Sequence, residues 1–277
     1  MQFLVLKIVV SANIIIVEVM KMNLLREKIN KNEKILGTLV CLTDPCLCEM
    51  IGNVGYDCVW IDTEHTYMSY KDVLCHLNGA RASGISTLVR LPQNDLTATK
   101  KILEMGPDGV IFPMVKSLEE FSALMEMTLY PPHGSRGFGP MRAIGYDSAN
   151  ARDYVKRDSL DLCRFAQIES IDMIDELDEI AKHPFIDGFI FGPNDLSGSV
   201  GDFLNVFEDK TVSQIKRAID ILKPHGKRIG VACGYGRETL QFWSSFGFDT
   251  IFAGGDWNFI FDQAKATLSL MKSIENK

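Results

Sequence analysis

Eight short apolar runs, spaced between residues 36 and 253, restrict the fold of this chain more than any other feature. Continuous apolar runs of this length are typical of strands that are buried on both faces of a parallel sheet. Eight of them predict an α/β fold, a closed (β/α)8 TIM barrel. The runs lie at 36–42, 57–62, 86–90, 109–114, 164–169, 187–192, 228–232 and 249–253.

Helical stretches follow the strands, as a barrel requires. Residues 69–82, 96–105 and 118–129 come after the second, third and fourth runs. In the last stretch the apolar side chains recur at three- and four-residue spacing, which is the period of a helix packed on one face. A further amphipathic helix near residues 22–29 precedes the first strand.

The length of the chain fits one domain. It has 277 residues, of which 46% are hydrophobic, and a barrel of about 250 residues would use nearly all of it. We predict a single barrel domain over 23–277. We expect the apolar N-terminal extension over 1–22 to lie outside the fold, with disorder or loose packing. A secretory signal or a membrane-spanning helix is the alternative, but Lys7, Asn13 and Glu18 interrupt the apolar stretches.

Charge and cysteine usage exclude several classes of function. The net charge is −7, and no stripe of Lys and Arg interleaved with aromatic residues is present to bind nucleic-acid phosphates. The seven cysteines lie mostly in apolar runs and include no Cys-x-x-Cys pair, which favours buried thiols in a reducing cytosol. We therefore predict a cytoplasmic protein without a nucleic-acid or membrane partner.

Polar and charged residues close several of the predicted strands. In a β/α barrel the carboxyl ends of the strands meet at one face, where active sites lie. These side chains are therefore expected to converge on one rim. They are Asp62, Glu64 and His65 after the second strand, Arg90 after the third, Lys116 after the fourth, Glu169 after the fifth and Asp195 after the sixth.

Two of these acids suggest a metal site. Glu169 and Asp195 lie one βα unit apart (195 − 169 = 26 residues), so their strands are expected to be neighbours. Carboxylate oxygens, with water completing the shell, suit Mg²⁺, Mn²⁺ or a similar cation. Alternatively Glu169 begins the next helix and Asp195 caps a turn. Their matching places at strand ends favour the metal.

Three further features suggest how a substrate would be handled. His65 sits among carboxylates and is a candidate general base, although a hydrogen-bonded surface histidine is the alternative. Arg90 could stabilise an enolate oxygen as its negative charge develops. The backbone amides of Asn194 and Asp195, in the turn that begins at Gly192, could hold a carboxylate, although the motif alone means only a turn.

Seven motifs, in order between about residues 23 and 265, resemble the HpcH/HpaI aldolase family. The resemblance implies a metal-dependent, class II pyruvate aldolase, an aldehyde-lyase on a phosphoenolpyruvate/pyruvate-type barrel. It implies cleavage of a 4-hydroxy-2-oxo acid to pyruvate and an aldehyde with Mg²⁺, Mn²⁺ or Co²⁺. It also implies a homo-oligomer, a hexamer built as a trimer of dimers. The motifs are residues 55–65, 88–95, 112–115, 130–132, 136–139, 167–169 and 192–197.

The resemblance also implies a role for each matching residue. Glu169 and Asp195 would hold the metal with Gln167 nearby, and Arg90 would meet the ketone oxygen of pyruvate. The pyruvate carboxylate would lie on the amides of Asn194 and Asp195, next to Gly192. His65 would be the acid/base residue, with Asp62 in the same catalytic group.

The chain departs from the family pattern at Glu104, where the family commonly has an aspartate that pairs with the catalytic histidine. We include Glu104 among the catalytic candidates because its longer arm could still reach His65. Arg136 and Arg142 lie in a loop that resembles the substrate-side loop of the family. They could bind a distal carboxylate or sugar hydroxyls, or they could pair with the acidic surface of this protein itself.

Two other functions fit parts of the pattern. Lys116 follows an apolar strand and could form a Schiff base, as class I aldolases do. A barrel that has lost catalysis and serves as a binding subunit is the other, and only the change at Glu104 hints at it. The chain keeps His65, Arg90 and both acids of the metal site, which favours the metal-dependent enzyme.

Overall fold

The computed structural model describes residues 5–11, 14–20 and 23–275. Strands β1 (Val5–Ser11) and β2 (Ile14–Met20) pair antiparallel with each other in a two-stranded sheet that is separate from the main sheet. The predicted extension over 1–22 falls partly outside the described residues, and its separation from the domain stays a prediction. In the described ranges, no helix is long and apolar enough to cross a membrane.

Eight parallel strands form the closed barrel that the sequence predicts. Each strand pairs with the next, and the last pairs with the first. Every boundary lies within two residues of the prediction, because buried parallel strands leave a continuous apolar signal. The strands are β3 (Ile35–Val40), β4 (Cys58–Asp62), β5 (Ser86–Arg90), β6 (Gly109–Phe112), β7 (Cys163–Ile168), β8 (Gly188–Phe191), β9 (Arg228–Cys233) and β10 (Thr250–Gly255).

Helices alternate with the strands. Ser69 begins α3 with a capping box, because its hydroxyl accepts the amide of Asp72 while the Asp72 carboxylate accepts the amide of Ser69. The three helical stretches predicted with bounds are confirmed to within one residue at each end, and the helix expected after the first strand is α2. The helices are α1 (Leu24–Asn30), α2 (Cys46–Val54), α3 (Tyr70–Ser83), α4 (Leu96–Glu104), α5 (Leu118–Thr128), α6 (Ala151–Asp161), α7 (Ile171–Ala181), α8 (Pro193–Ser199), α9 (Asp209–Leu222), α10 (Arg237–Ser244) and α11 (Asp256–Glu275).

Alternation along each strand decides which side chains reach the rim. On β4, Cys58 and Trp60 pack inside the barrel, while Val59 and Ile61 pack against the helices. Because successive side chains point to opposite faces, Asp62 faces inward at the top of the same column. The same period on β5 and β7 places Arg90 above Leu88 and Gln167 above Phe165. The alternation of side chains along the strands therefore turns Asp62, Arg90 and Gln167 toward the inside of the barrel at its carboxyl end.

Helix α1 lies across the opposite, amino end of the barrel. The Asn23 amide donates to the backbone carbonyls of Asp108 and Asp161 at 2.8 and 2.7 Å. Arg26 forms an ion pair with Asp187 and donates to the Leu162 carbonyl at 2.7 Å. These bonds join α1 to the turns that lead into β6, β7 and β8. The extra N-terminal helix therefore covers the amino end of the barrel.

Candidate active site

Arg90 occupies the centre of the carboxyl rim. Its Nε and Nη2 atoms donate to the two carboxylate oxygens of Asp62 at 2.9 and 2.5 Å, and Nη1 lies 2.9 Å from Glu64 Oε2. Nη1 also donates to Gln167 Oε1 at 3.3 Å, and the guanidinium lies 5.2 Å above the Trp60 ring. The side chain is 6% exposed, so these contacts hold its charge in a fixed direction.

Glu169 is held by two donors, one on each oxygen. The Gln167 side-chain amide donates to Oε1 at 2.6 Å, and the backbone amide of Met114 donates to Oε2 at 2.8 Å. Met114 adopts a positive φ of 51°, which is uncommon for a residue with a side chain and turns its amide toward the carboxylate. The carboxylate is thereby oriented before any ligand binds.

Acidic side chains repel one another at this rim. Burial raises the pKa of Glu169 to about 7, and the charges of Glu64 and Asp195 raise it as well, against the Met114 amide and Arg90. Burial likewise raises the pKa of Glu64, to which Asp62 and Asp195 contribute, while Arg90 and His65 oppose the shift. The charges of Glu64 and Asp195 therefore act on Glu169 at this rim.

The chemistry of these side chains, though not a complete ligand shell, suits a divalent cation. All three carboxylates supply the oxygen ligands that Mg²⁺ and Mn²⁺ prefer, and a cation would offset the repulsion that raises the pKa of Glu169. Gly192 leaves room at the same place, because a Cβ built there would lie 2.8 Å from Glu169 Oε1. Over the described part of the chain, no group of three or more His, Cys, Asp or Glu has metal-binding geometry. Water or substrate oxygens would have to complete the shell.

The start of α8 presents the amides of Asn194 and Asp195. Asn194 is exposed and Asp195 is partly exposed, in the first turn after Gly192 and Pro193. The first amides of a helix have no partner within the helix, so they are available to an anionic ligand. This placement agrees with the expected cradle for a carboxylate, which stays a prediction.

His65 lies at the rim but is held only loosely. Its side chain is 62% exposed, and Nε2 lies 3.7 Å from Glu64 Oε2. The backbone amides of Glu64 and His65 donate to Asp62 Oδ1 at 3.0 and 3.4 Å, so Asp62 shapes the loop and pairs with Arg90 at once. The sequence placed Glu64 on the rim, but its contact with both Arg90 and His65 could not be read from the motif.

Glu104 lies away from His65 within the chain. It ends α4, which leads into β6, so it sits at the amino end of the barrel. A Cβ on Gly139 would lie 3.0 Å from its Oε1, and its backbone carbonyl accepts the amide of Ala143. No hydrogen bond or ion pair joins Glu104 to His65 among the described residues. The neighbour of His65 is instead Glu64.

Arg136 and Arg142 also lie toward the amino end, since their loop runs from the end of α5 to α6 and then to the start of β7. Arg136 is buried, donates to both oxygens of Asp158 at 3.0 Å, and stacks 4.4 Å from the centre of the Tyr130 ring. Within the chain it thus pairs with a buried acid, and its expected contact with the substrate stays a prediction. Arg142 donates to backbone carbonyls and to Asn78, not to rim residues.

Asp256 supports the rim in a way that sequence reasoning missed. It begins α11, is 2% exposed, and accepts the backbone amides of Cys41 at 3.1 Å and Leu42 at 3.0 Å. These bonds tie the last strand-to-helix turn to the end of β3. The only local signal is an acid directly after the last apolar strand.

Three comparisons place this chain among known proteins. The family model for HpcH/HpaI aldolase/citrate lyase matches residues 36–233. A hydroxypyruvate/pyruvate aldolase from Roseovarius nubinhibens is 27% identical over 89% of this chain and 96% of its own. A 2-keto-3-deoxy-L-rhamnonate aldolase from Escherichia coli is 28% identical over 92% and 95%. The crystal structure of an HpcH/HpaI aldolase from Desulfitobacterium hafniense shares the fold, with a TM-score of 0.84, 23% identity and coverage of 90% and 96%.

Proposed function

The chain belongs to the HpcH/HpaI aldolase/citrate lyase family, and from this we propose that it cleaves a 4-hydroxy-2-oxo acid reversibly into pyruvate and an aldehyde with a divalent metal ion. It is a lyase of the aldolase type. The observation that carries the proposal is the group of mutually repelling carboxylates beside one fixed guanidinium, because such a group attracts a cation and the guanidinium can stabilise an enolate.

Glu169 and Asp195 are the proposed metal ligands, for Mg²⁺, Mn²⁺ or Co²⁺. Glu169 is supported in this role by its two donors, which leave the carboxylate fixed in one direction. Asp195 is supported by its electrostatic coupling to Glu169. A bound divalent ion supplies Lewis acidity, which lowers the free energy of negative charge on a neighbouring oxygen.

The chain would bind the pyruvate half of the substrate through two sets of donors. The free amides of Asn194 and Asp195 would hold the carboxylate, since helix N-terminal amides favour anions. Arg90 would face the ketone oxygen and stabilise the charge that develops on it. Gln167 hydrogen-bonds to both Arg90 and Glu169 and would hold the two side chains in fixed positions relative to each other.

His65 would move the proton. In the cleavage direction it accepts the proton of the C4 hydroxyl, the C3–C4 bond breaks, and the bonding electrons pass into the enolate of pyruvate. Protonation at C3 then gives pyruvate, and the aldehyde leaves. Glu64 lies beside His65 and would stabilise the imidazolium that forms.

The Schiff-base alternative lacks a suitable environment. Lys116 is exposed, and its backbone amide donates a hydrogen bond to the Glu120 carboxylate at 2.9 Å. Lysines that form Schiff bases are usually activated by burial or by a neighbouring cation. The surroundings of Lys116 therefore favour the metal-dependent mechanism.

A release assay tests the proposal directly. Pyruvate formation is measured from a panel of 4-hydroxy-2-oxo acids with Mg²⁺, Mn²⁺ or Co²⁺, coupled to lactate dehydrogenase. We expect turnover that EDTA abolishes and that added metal restores. Full activity after exhaustive chelation, or trapping of pyruvate on Lys116 by borohydride, would replace this mechanism with the class I alternative.

We also propose a cytoplasmic homo-oligomer, a hexamer built as a trimer of dimers. Support comes from α11, whose apolar side chains remain exposed along most of its length. Trp257, Phe261, Leu270 and Ile274 are each more than half exposed, and exposed apolar patches of this kind mark interfaces. Light scattering of the purified chain tests the assembly, and a monomer at micromolar concentration would exclude it.

A further inference from the structure

The Trp60 ring lies inside the barrel, directly beneath the Arg90 guanidinium. The guanidinium carbon lies 5.2 Å from the centre of the ring, and Trp60 is 1% exposed. The two side chains meet because β4 and β5 are neighbouring strands and both residues point inward. An aromatic face attracts a cation placed over it, most strongly for tryptophan and in sites that exclude water. Trp60 therefore contacts the group that is proposed to face the ketone oxygen of the substrate.

The hydrogen bonds of Arg90 hold the guanidinium only at its edge. They run to both oxygens of Asp62 and to Gln167, and the N–H bonds of a guanidinium lie in the plane of the group. Such bonds limit movement within that plane more than they limit tilting of the plane. The indole face below closes off the direction in which the guanidinium would tilt into the barrel. The ring thus supplies a restraint that the hydrogen bonds do not.

The Trp60 ring is itself held by Phe252. The two ring centres lie 5.3 Å apart with their planes at 81°, the edge-to-face arrangement that aromatic pairs prefer. Gly37 leaves room for the Phe252 ring, because a Cβ built at Gly37 would overlap that ring and would lie 2.7 Å from the Cys58 carbonyl oxygen. Residues of β3, β4 and β10 therefore fix the indole under Arg90.

Packing alone does not account for a tryptophan at position 60. Its indole N–H is buried and has no hydrogen-bond partner among the residues that the structure describes. A buried polar group without a partner costs folding free energy, and a leucine or a phenylalanine would avoid that cost. The neighbouring interior residues Leu88, Ile111 and Phe165 carry no such group. What the indole offers instead is the ring face that attracts a cation most strongly.

We propose that Trp60 is a positioning residue for the reaction, which fixes the tilt of the Arg90 guanidinium so that it meets the enolate oxygen as negative charge develops. The inference rests on the proposed function of the same rim. In this role Trp60 acts through Arg90. Because the charge on the oxygen is larger in the transition state than in the bound substrate, loss of the ring should lower kcat and leave KM nearly unchanged.

The test compares Trp60→Leu and Trp60→Phe with Trp243→Leu and Trp243→Phe. Trp243 is an equally buried tryptophan that packs with Phe242, Phe246 and Phe248 in the layer between α10 and the barrel. We expect kcat to fall roughly tenfold in Trp60→Leu and less in Trp60→Phe, which keeps a smaller ring face. The Trp243 variants should lose stability in urea but keep kcat. Metal content should be normal in all four variants.

Oxalate binding gives a second readout that does not require turnover. Oxalate presents a carboxylate beside a second anionic oxygen, as the enolate of pyruvate does, so it probes the same oxyanion site when Mn²⁺ is present. Calorimetry should show that Trp60→Leu weakens oxalate binding roughly tenfold. Trp243→Leu should bind oxalate with the affinity of the unmodified protein.

The two readouts separate this inference from the proposed function. If the unmodified protein binds oxalate but releases no pyruvate, the proposed function fails, and the oxalate affinities decide whether Trp60 orients Arg90. Unchanged kcat and oxalate affinity in both Trp60 variants would overturn the inference and leave the aldolase intact. Equal losses in the Trp60 and Trp243 variants would overturn it as well, since they would show an effect of packing only. An unmodified protein that neither turns over nor binds oxalate would overturn both proposals. If Trp60→Leu does not fold, Trp60→Phe decides the outcome.

Discussion

The two ends of the barrel both bury charged side chains, but they compensate the charges differently. At the amino end, arginines meet aspartates in pairs, such as Arg26 with Asp187 and Arg228 with Asp249. At the carboxyl rim, one buried arginine faces two acids, and two further acids stand nearby. The paired end needs nothing more, whereas the rim keeps an excess of negative charge.

This difference separates charges that stabilise the fold from charges that are available to bind a cation. A buried pair with complete hydrogen bonds is a stable end state, and removing one partner mainly costs folding free energy. An unbalanced set of acids stores electrostatic repulsion that a cation relieves on binding. Substitutions at the two ends should therefore change different measurements.

The largest effect is expected from Glu169→Gln at the rim. The loss of a proposed metal ligand should reduce metal retention and aldolase turnover to background, because Asp195 alone would not hold the ion. Metal content after gel filtration and pyruvate release measure the two effects. Asp178→Asn, which neutralises an exposed acid of α7, is the matched control and should keep both. Metal retention at the normal level in the Glu169 variant would break the comparison.

His65→Ala should reduce turnover by roughly a hundredfold to ten-thousandfold, as the loss of a general acid/base does. Metal content should stay normal, since His65 only neighbours the proposed ligands. The control is His225→Ala. His225 precedes β9, and its side chain hydrogen-bonds to the exposed Asp178. Equal turnover in the two variants would exclude His65 from the proton transfer.

Arg136→Gln should act on stability and not on substrate binding. Breaking a buried pair costs about 3–5 kcal/mol, and the lower part of that range applies because Arg164 also lies 3.7 Å from Asp158. Urea unfolding measures the loss, and KM of the folded variant should be unchanged. Arg157→Gln, in an exposed pair, should cost at most about 1 kcal/mol. A raised KM with normal stability would return Arg136 to the substrate site.

The smallest effect concerns pH. Burial raises the pKa of Glu169 to about 7 from its usual 4.5, so protons compete with the metal below that pH. Metal affinity should fall about tenfold for each pH unit below 7. In the metal-free protein the sign is opposite, because the stability this group contributes below pH 4.5 is lost as pH rises through 7. Calorimetric titration at several pH values measures both, and pH-independent metal affinity would contradict the shift.

The sequence predicted the barrel well because its signals are local. Each buried strand is an apolar run, and the inward parity of Asp62, Arg90 and Gln167 follows from that run. Glu169 and Asp195 could be proposed from their places at strand ends. None of these inferences needed knowledge of distant contacts.

The missed features depend on distant contacts. The Met114 amide that holds Glu169 is a backbone group, so no residue type marks it. Arg136 resembled a substrate residue in its motif, yet its partner Asp158 lies 22 positions further along. Asp256 reaches back more than 200 positions to the end of β3. A motif records residue types, whereas partners are fixed only when the chain folds.

The bond from the Met114 amide to Glu169 has a consequence for engineering. Since the donor belongs to the main chain, nineteen of the twenty amino acids at position 114 would retain it, and only proline would remove it. Glycine and asparagine tolerate the positive φ best. The Met114 side chain is 41% exposed beside the rim, so a library at this position could change the surface around the proposed aldehyde site while the Glu169 carboxylate stays in place.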